Sequence, residues 1–126
     1  MVREVIYTDK APKLLAPYSQ AIRVGNFLFL AGQVGINPKN GKLEEGFEDQ
    51  AKRTLENIKS ILEQAGYSLK DVVNVNIFLA KKEDFGKMNK IYKVYFPEEP
   101  PARTTVVAHF PLEEILIEIN VIAFKD

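Results

Sequence analysis

The chain contains no cysteine, a single histidine and no excess of charge of either sign, Lys+Arg and Asp+Glu each numbering 17 among 126 residues. Without cysteine there is no disulfide framework, no thiolate nucleophile and no Cys-based zinc or iron-sulfur site, a composition that suits a reducing cytosol. One histidine leaves little from which to build a His-based triad or metal site. It is His109, followed by Phe110 and Pro111 at a strand end, where a packing or hydrogen-bonding role is the plainer expectation. The charge balance argues against a nucleic-acid partner held by a broad basic field and leaves only a local patch for one. Neither the phosphate-binding GxxxxGK[ST] pattern nor GxSxG occurs. Long apolar runs are also missing. The first residues, MVREVIYTDKAPK, carry charges from the start and read as neither signal peptide nor membrane anchor, so the whole chain is taken as mature and cytoplasmic, with no membrane partner.

What remains is a single domain, residues 1–126, with 46% hydrophobic residues and enough length to remove roughly two thirds of its unfolded surface from water. No internal repeat, charge block or Gly/Ser linker divides it. Residues 20–24 and 27–34 are β-type runs joined by Gly25-Asn26, a hairpin signal, and Asn37 to Lys42 forms a turn around Pro38 and Asn40-Gly41. From Phe47 the positions Ala51, Leu55, Ile58, Leu62 and Ala65 follow a helical period, and Gly66 stands where a C-terminal cap belongs. Residues 71–80 alternate as a strand, with Val73, Val75, Ile77 and Leu79 on one face. Phe85, Met88, Tyr92, Tyr95 and Phe96 mark a second amphipathic helix, stopped by Pro97, Pro100 and Pro101. Strands over 103–108 and 115–124, with an extended 2–7, complete the order β, β, β, α, β, α, β, β.

Two helical crossovers plus hairpins predict an α+β fold: a mixed sheet with both helices on one face. The last strand, however, is apolar on both sides, with Ile115, Ile117, Ile119, Val121 and Ala123 on one and Leu116, Ile122 and Phe124 on the other. A sheet apolar on both faces and covered on one predicts burial of the second against another copy of the chain, with cover by loops or termini as the alternative.

Four residues stand apart from this architecture. Glu118 interrupts the apolar second face of the last strand, next to Asn120; a buried carboxylate is either a structural ion-pair member or an acid/base group with a raised pKa. Arg103 follows Pro101-Ala102 at the entrance to a strand, where its planar guanidinium suits a bidentate carboxylate clamp. Tyr18 lies in a proline-bounded loop before the first hairpin. Gly32 sits mid-strand, a place for a bulge or for close approach by a ligand. For Tyr18 and Gly32, plain packing is the stronger explanation of the residue types taken alone.

The segments Ala-Pro-Tyr-Ser-Gln-Ala (16–21), Gly-Asn-Phe-Leu-Phe-Leu-Ala-Gly-Gln-Val (25–34), Asn-Pro-Lys-Asn-Gly (37–41), Leu-Glu-Asn-Ile-Lys (55–59), Asp-Phe-Gly-Lys-Met-Asn (84–89), Pro-Ala-Arg-Thr-Thr-Val (101–106) and Ile-Glu-Ile (117–119) together resemble the Rid family, the reactive intermediate deaminases or YjgF-type proteins. The likeness spans nearly the whole chain in order. It implies a chorismate mutase-like α+β fold and a homotrimer with ligand clefts at subunit interfaces. It also implies hydrolysis of 2-imino acids such as 2-iminobutanoate and 2-iminopropanoate, made by pyridoxal phosphate-dependent dehydratases, to 2-keto acids and ammonia, with no metal or organic cofactor. By the same likeness Arg103 binds the substrate carboxylate and Glu118 positions the attacking water, while Tyr18, Gly32, Asn89 and Thr105 line or support the cleft. Thr105 stands where the family commonly has cysteine, Thr104 where it has serine, Asn120 where a second glutamate is frequent, and Gly35 where proline is common. Two other functions remain compatible: a non-catalytic keto-acid-binding regulator, and a ribonuclease or translation inhibitor.

Overall fold

The structure, a computed structural model, describes residues 2–126. Its strands are β1 (Arg3–Ile6), β2 (Ala21–Val24), β3 (Phe27–Leu30), β4 (Gln33–Val34), β5 (Val72–Leu79), β6 (Ala102–Val107) and β7 (Ile117–Phe124), with helices α1 (Phe47–Gln64) and α2 (Phe85–Tyr95). They form one mixed sheet in the order β1-β2-β3-β7-β5-β6, with β4 also paired to β7. Every pairing is antiparallel except β5 with β6, which α2 joins by a crossover. None of the helices among the described residues is long and apolar enough to cross a membrane.

One face of the sheet carries Ala21, Leu28, Leu30, Val75, Ile77, Leu79, Ile117, Ile119, Val121 and Ala123, all buried in one cluster with Leu55, Ile58, Ile61 and Leu62 of α1 and Met88, Ile91 and Tyr92 of α2. Both helices therefore lie on that face. The other face presents Phe27, Phe29 and Phe124, all exposed, with Phe27 and Phe124 edge to face at 4.9 Å. No element among the described residues covers it.

Helix α1 is closed by the sheet as much as by its own sequence. Gly66 takes φ 83°, which favours glycine. Arg23 from β2 donates to the Ala65 carbonyl, and Lys125 Nζ donates to the Gly66 carbonyl at 2.8 Å. These cations meet the negative end of the helix dipole. At the other end, Gly35 lies so close to Gln50 that a Cβ would sit 2.6 Å from its Cα, so glycine at this position lets α1 settle onto the strand layer.

Three expectations from residue order are corrected. The run 27–34 is broken at Ala31-Gly32 into β3 and β4, which pair with different stretches of β7, giving seven strands rather than six. A register shift between Val72 and Asn74 turns Val72 into the core and leaves Val73 45% exposed, so the alternation on which Val73 was grouped with Val75 starts one residue late. Leu116, grouped by alternation with the second face, precedes β7 and packs against the core cluster.

Candidate functional site

The residues singled out from the sequence fall into two groups on opposite faces of the sheet. In the β5–β6 ladder Arg103 pairs with Val75 and Thr105 with Ile77, and paired residues share a face, so both point to the helix side. In the β5–β7 ladder Glu118 pairs with Phe78, one residue out of step, and points to the open side.

On the helix side, Arg103 reaches across α2. Its guanidinium carbon is 4.8 Å from the Tyr92 ring centroid and 5.8 Å from that of Phe85, and Nη1 lies 3.9 Å from Met88 Sδ. Among the described residues no carboxylate is within ion-pair distance of it. The donors of a full positive charge are thus oriented but not neutralised, which is what a carboxylate-binding group requires. Asn89 is partly buried one turn beyond Phe85 on the same helix. Two hydroxyls on this side, those of Thr105 and Tyr92, are buried without a hydrogen-bond partner. Burial pushes the Tyr92 hydroxyl pKa up, with Arg103 opposing the shift.

On the open side, Glu118 is half buried and burial alone raises its carboxyl pKa, with no cation or donor to hold the charged form. The structure gives it no ion-pair partner among the described residues, so within one chain the structural ion-pair reading has nothing to rest on. Its carboxylate lies against Gly32: a Cβ there would overlap Oε2. The absence of a side chain at Gly32 is therefore what leaves room for the carboxylate. Asn120, the next residue on this face of β7, accepts from Asn76 Nδ2 at 3.0 Å and is engaged in the sheet's own polar pairing.

Tyr18 is half exposed in the loop before β2 and joins neither group in this chain, and His109 is exposed. Gln20 and Asn57 of the family-like segments, and Gln50 outside them, are architectural. Gln20 is fully buried, accepts from the Thr8 amide at 2.8 Å and donates to the carbonyls of Thr8 and Pro12, tying down the loop that holds Tyr18. Asn57 donates to the carbonyls of Val34 and Ile36. Gln50 donates to the Glu44 and Glu114 carbonyls and accepts from the Leu116 amide, which sets where β7, and with it Glu118, begins.

Residues 8–125 match the family model described as Endoribonuclease L-PSP. The chain belongs to this family. It is 53% identical to a RutC family protein from Pyrococcus horikoshii over 99% of this chain and 100% of that one. Against the 2-iminobutanoate/2-iminopropanoate deaminase of Mus musculus the identity is 42%, over 99% of this chain and 93% of the mouse protein. The crystal structure of RidA from an Antarctic Psychrobacter species superposes with a TM-score of 0.93 at 42% identity, covering 97% of this chain and 99% of that one. The likeness to Rid proteins and the mixed-sheet α+β fold expected from it thus hold at the level of family and fold.

For this L-PSP family chain, sequence reasoning missed the surroundings of Arg103. The spacing puts Phe85, Met88 and Tyr92 on the apolar stripe of α2, yet Phe85 is 47% exposed and its ring faces the guanidinium. A signal was available: a helix that crosses between parallel neighbours β5 and β6 must lie over them, so the same stripe has to meet the first inward residues of β6.

Proposed function

We propose that the protein hydrolyses 2-imino acids to 2-keto acids and ammonia. The observation that carries this reading is the Arg103 guanidinium, held by aromatic rings and free of any carboxylate partner among the described residues. The family relationship supports it, since the mouse relative is named for this reaction. In the proposed chemistry Arg103 binds the substrate carboxylate through its fork of N–H donors and thereby orients the adjacent imine carbon. Water adds to that carbon while the Glu118 carboxylate takes its proton. The same carboxyl then returns a proton to the nitrogen of the resulting carbinolamine; as the C–N bond breaks and ammonia departs, the hydroxyl gives its proton back to the carboxylate and becomes the carbonyl of the keto acid. A carboxyl whose pKa is raised by burial suits both proton transfers. The imine carbon is electrophilic already, so these steps draw on the chain's own groups.

Because Arg103 and Glu118 face opposite sides of one sheet, we place the complete site between copies of the chain. The edge strand β6 of one copy would meet the open face of another, within a homotrimer whose exposed Phe27, Phe29 and Phe124 become buried. Sedimentation should give a trimer, and a stable monomer at micromolar concentration would remove the shared site.

The deciding assay couples an amino-acid dehydratase to the protein and follows keto acid and ammonia in the presence of an imine scavenger. Faster keto-acid formation with less trapped imine is expected. Keto-acid binding without turnover would leave a regulatory binder, and RNA cleavage with no effect on imines would favour the activity named in the family description.

A further inference from the structure

A cation can be aimed in two ways: by an anion, which occupies its donors, or by an aromatic face, which attracts it through the ring quadrupole and leaves the N–H edges free. Arg103 is held in the second way. The closer ring belongs to Tyr92, at 4.8 Å against 5.8 Å for Phe85. The two rings differ in stiffness of support. Phe85 is 47% exposed, whereas Tyr92 is 6% exposed and is backed by Phe96 with ring centroids 4.7 Å apart. Beside them opens a pocket of about 420 Å³ lined by Tyr92, Lys93, Phe96, Pro97, Pro100, Pro101 and Arg103. Three prolines thus stiffen its lining, and the ring that carries the guanidinium is part of it.

The Tyr92 hydroxyl is buried and has no hydrogen-bond partner among the described residues. A buried hydroxyl left unpaired works against folding, so the hydroxyl does not account for this residue within the chain. The ring does. Positions 85, 88 and 92 share one face of α2, and only at 92 is an aromatic face both rigidly buried and directed at Arg103.

We propose that Tyr92 is a positioning residue: its ring fixes the direction of the Arg103 guanidinium, so that a substrate carboxylate meets the fork in one orientation. The proposal rests on the imino-acid reading for its substrate, but the binding of a keto acid reports on it separately. Removing the ring should weaken carboxylate binding about tenfold, within the range of a desolvated cation–π contact.

The experiment measures pyruvate and 2-ketobutyrate Kd by calorimetry, and KM and kcat in the dehydratase-coupled assay, for four proteins: wild type, Tyr92→Phe, Tyr92→Leu, and a chain carrying trifluorophenylalanine at the same position. The fluorinated ring keeps nearly the shape of phenylalanine but weakens the quadrupole, so its folding does not depend on the outcome. Tyr92→Phe should match wild type in Kd and KM and unfold at equal or higher urea. Tyr92→Leu should raise Kd and KM about tenfold with kcat within about twofold, and the fluorinated ring should fall between Phe and Leu. A merely structural ring would lower the urea midpoint of the Leu variant while leaving Kd unchanged across the Phe and fluorinated pair, and that equality overturns the proposal even if the Leu variant does not fold. A Phe variant as weak as Leu would assign the effect to the hydroxyl and overturn it too. Wild type that binds keto acids without releasing ammonia would defeat the deaminase reading and leave the Kd series to decide Tyr92. Wild type that deaminates with a flat Kd series would defeat the Tyr92 proposal alone.

Discussion

Glu118→Gln separates catalysis from stability because the carboxylate has so little to lose structurally. It is half buried, its pKa is raised by burial alone, and no ion-pair partner exists among the described residues. The amide has nearly the same shape, so no cavity forms, and a change of this kind stays within about 0.5 kcal/mol. Its sign follows from linkage. A carboxyl whose folded pKa lies above its unfolded value holds its proton more tightly in the folded chain, so wild-type stability falls as pH rises from the unfolded through the folded value. The Gln variant does not titrate there. Its urea midpoint should therefore equal or exceed that of wild type at pH 7, and the gap should close on acidification below the unfolded glutamate pKa. Activity should respond quite differently. An amide can hydrogen-bond water but cannot take its proton, and loss of a positioned general base costs roughly 100-fold or more, equivalent to about 2.7 kcal/mol of barrier. Urea unfolding from pH 4 to 8 and the dehydratase-coupled assay read the two quantities on the same preparation. Wild-type kcat in the Gln variant would refute the water-positioning role. A stability loss of about 3 kcal/mol would instead reveal a buried ion pair formed on assembly.

Arg103→Ala should abolish keto-acid binding and deamination while leaving the fold intact, and Arg103→Lys should restore little because an ammonium lacks the planar fork; full activity in the Lys variant, measured in the same assay, would refute a bidentate clamp. Gly32→Ala places a methyl on the Glu118 carboxylate, the movable end of a side chain, so the chain should still fold while kcat drops at least about tenfold and the acidic limb of its pH profile moves toward an ordinary glutamate value. Gln50→Ala strips partners from the Glu44 and Glu114 carbonyls and the Leu116 amide and should cost about 2–4 kcal/mol in urea unfolding.

Period and punctuation were enough to locate both helices, the Gly66 end of α1, the proline stop after α2 and every extended segment, because apolar spacing and backbone-restricted residues act within a few positions of themselves. Arg103 and Glu118 stand out as candidates in the sequence, the one from a proline-stiffened strand entrance and the other from a charge set in an apolar alternation. Tertiary structure decided how they relate. Strand registers put Arg103 level with Val75 and Glu118 level with Phe78, hence on opposite faces, and a one-residue step in register is invisible to composition because it depends on which strand pairs with which. The use of the glycine at position 32 is likewise visible only in the fold, where the Glu118 carboxylate, distant in sequence, comes to rest against it. Tyr92 reads as core from its spacing and is buried as such, but only the crossover of α2 above β6 turns that core ring toward a cation. Local pattern reports which side of an element is apolar; what meets that side is settled by long-range pairing, where the hydrogen-bond ladder and the packing of the layers are satisfied together.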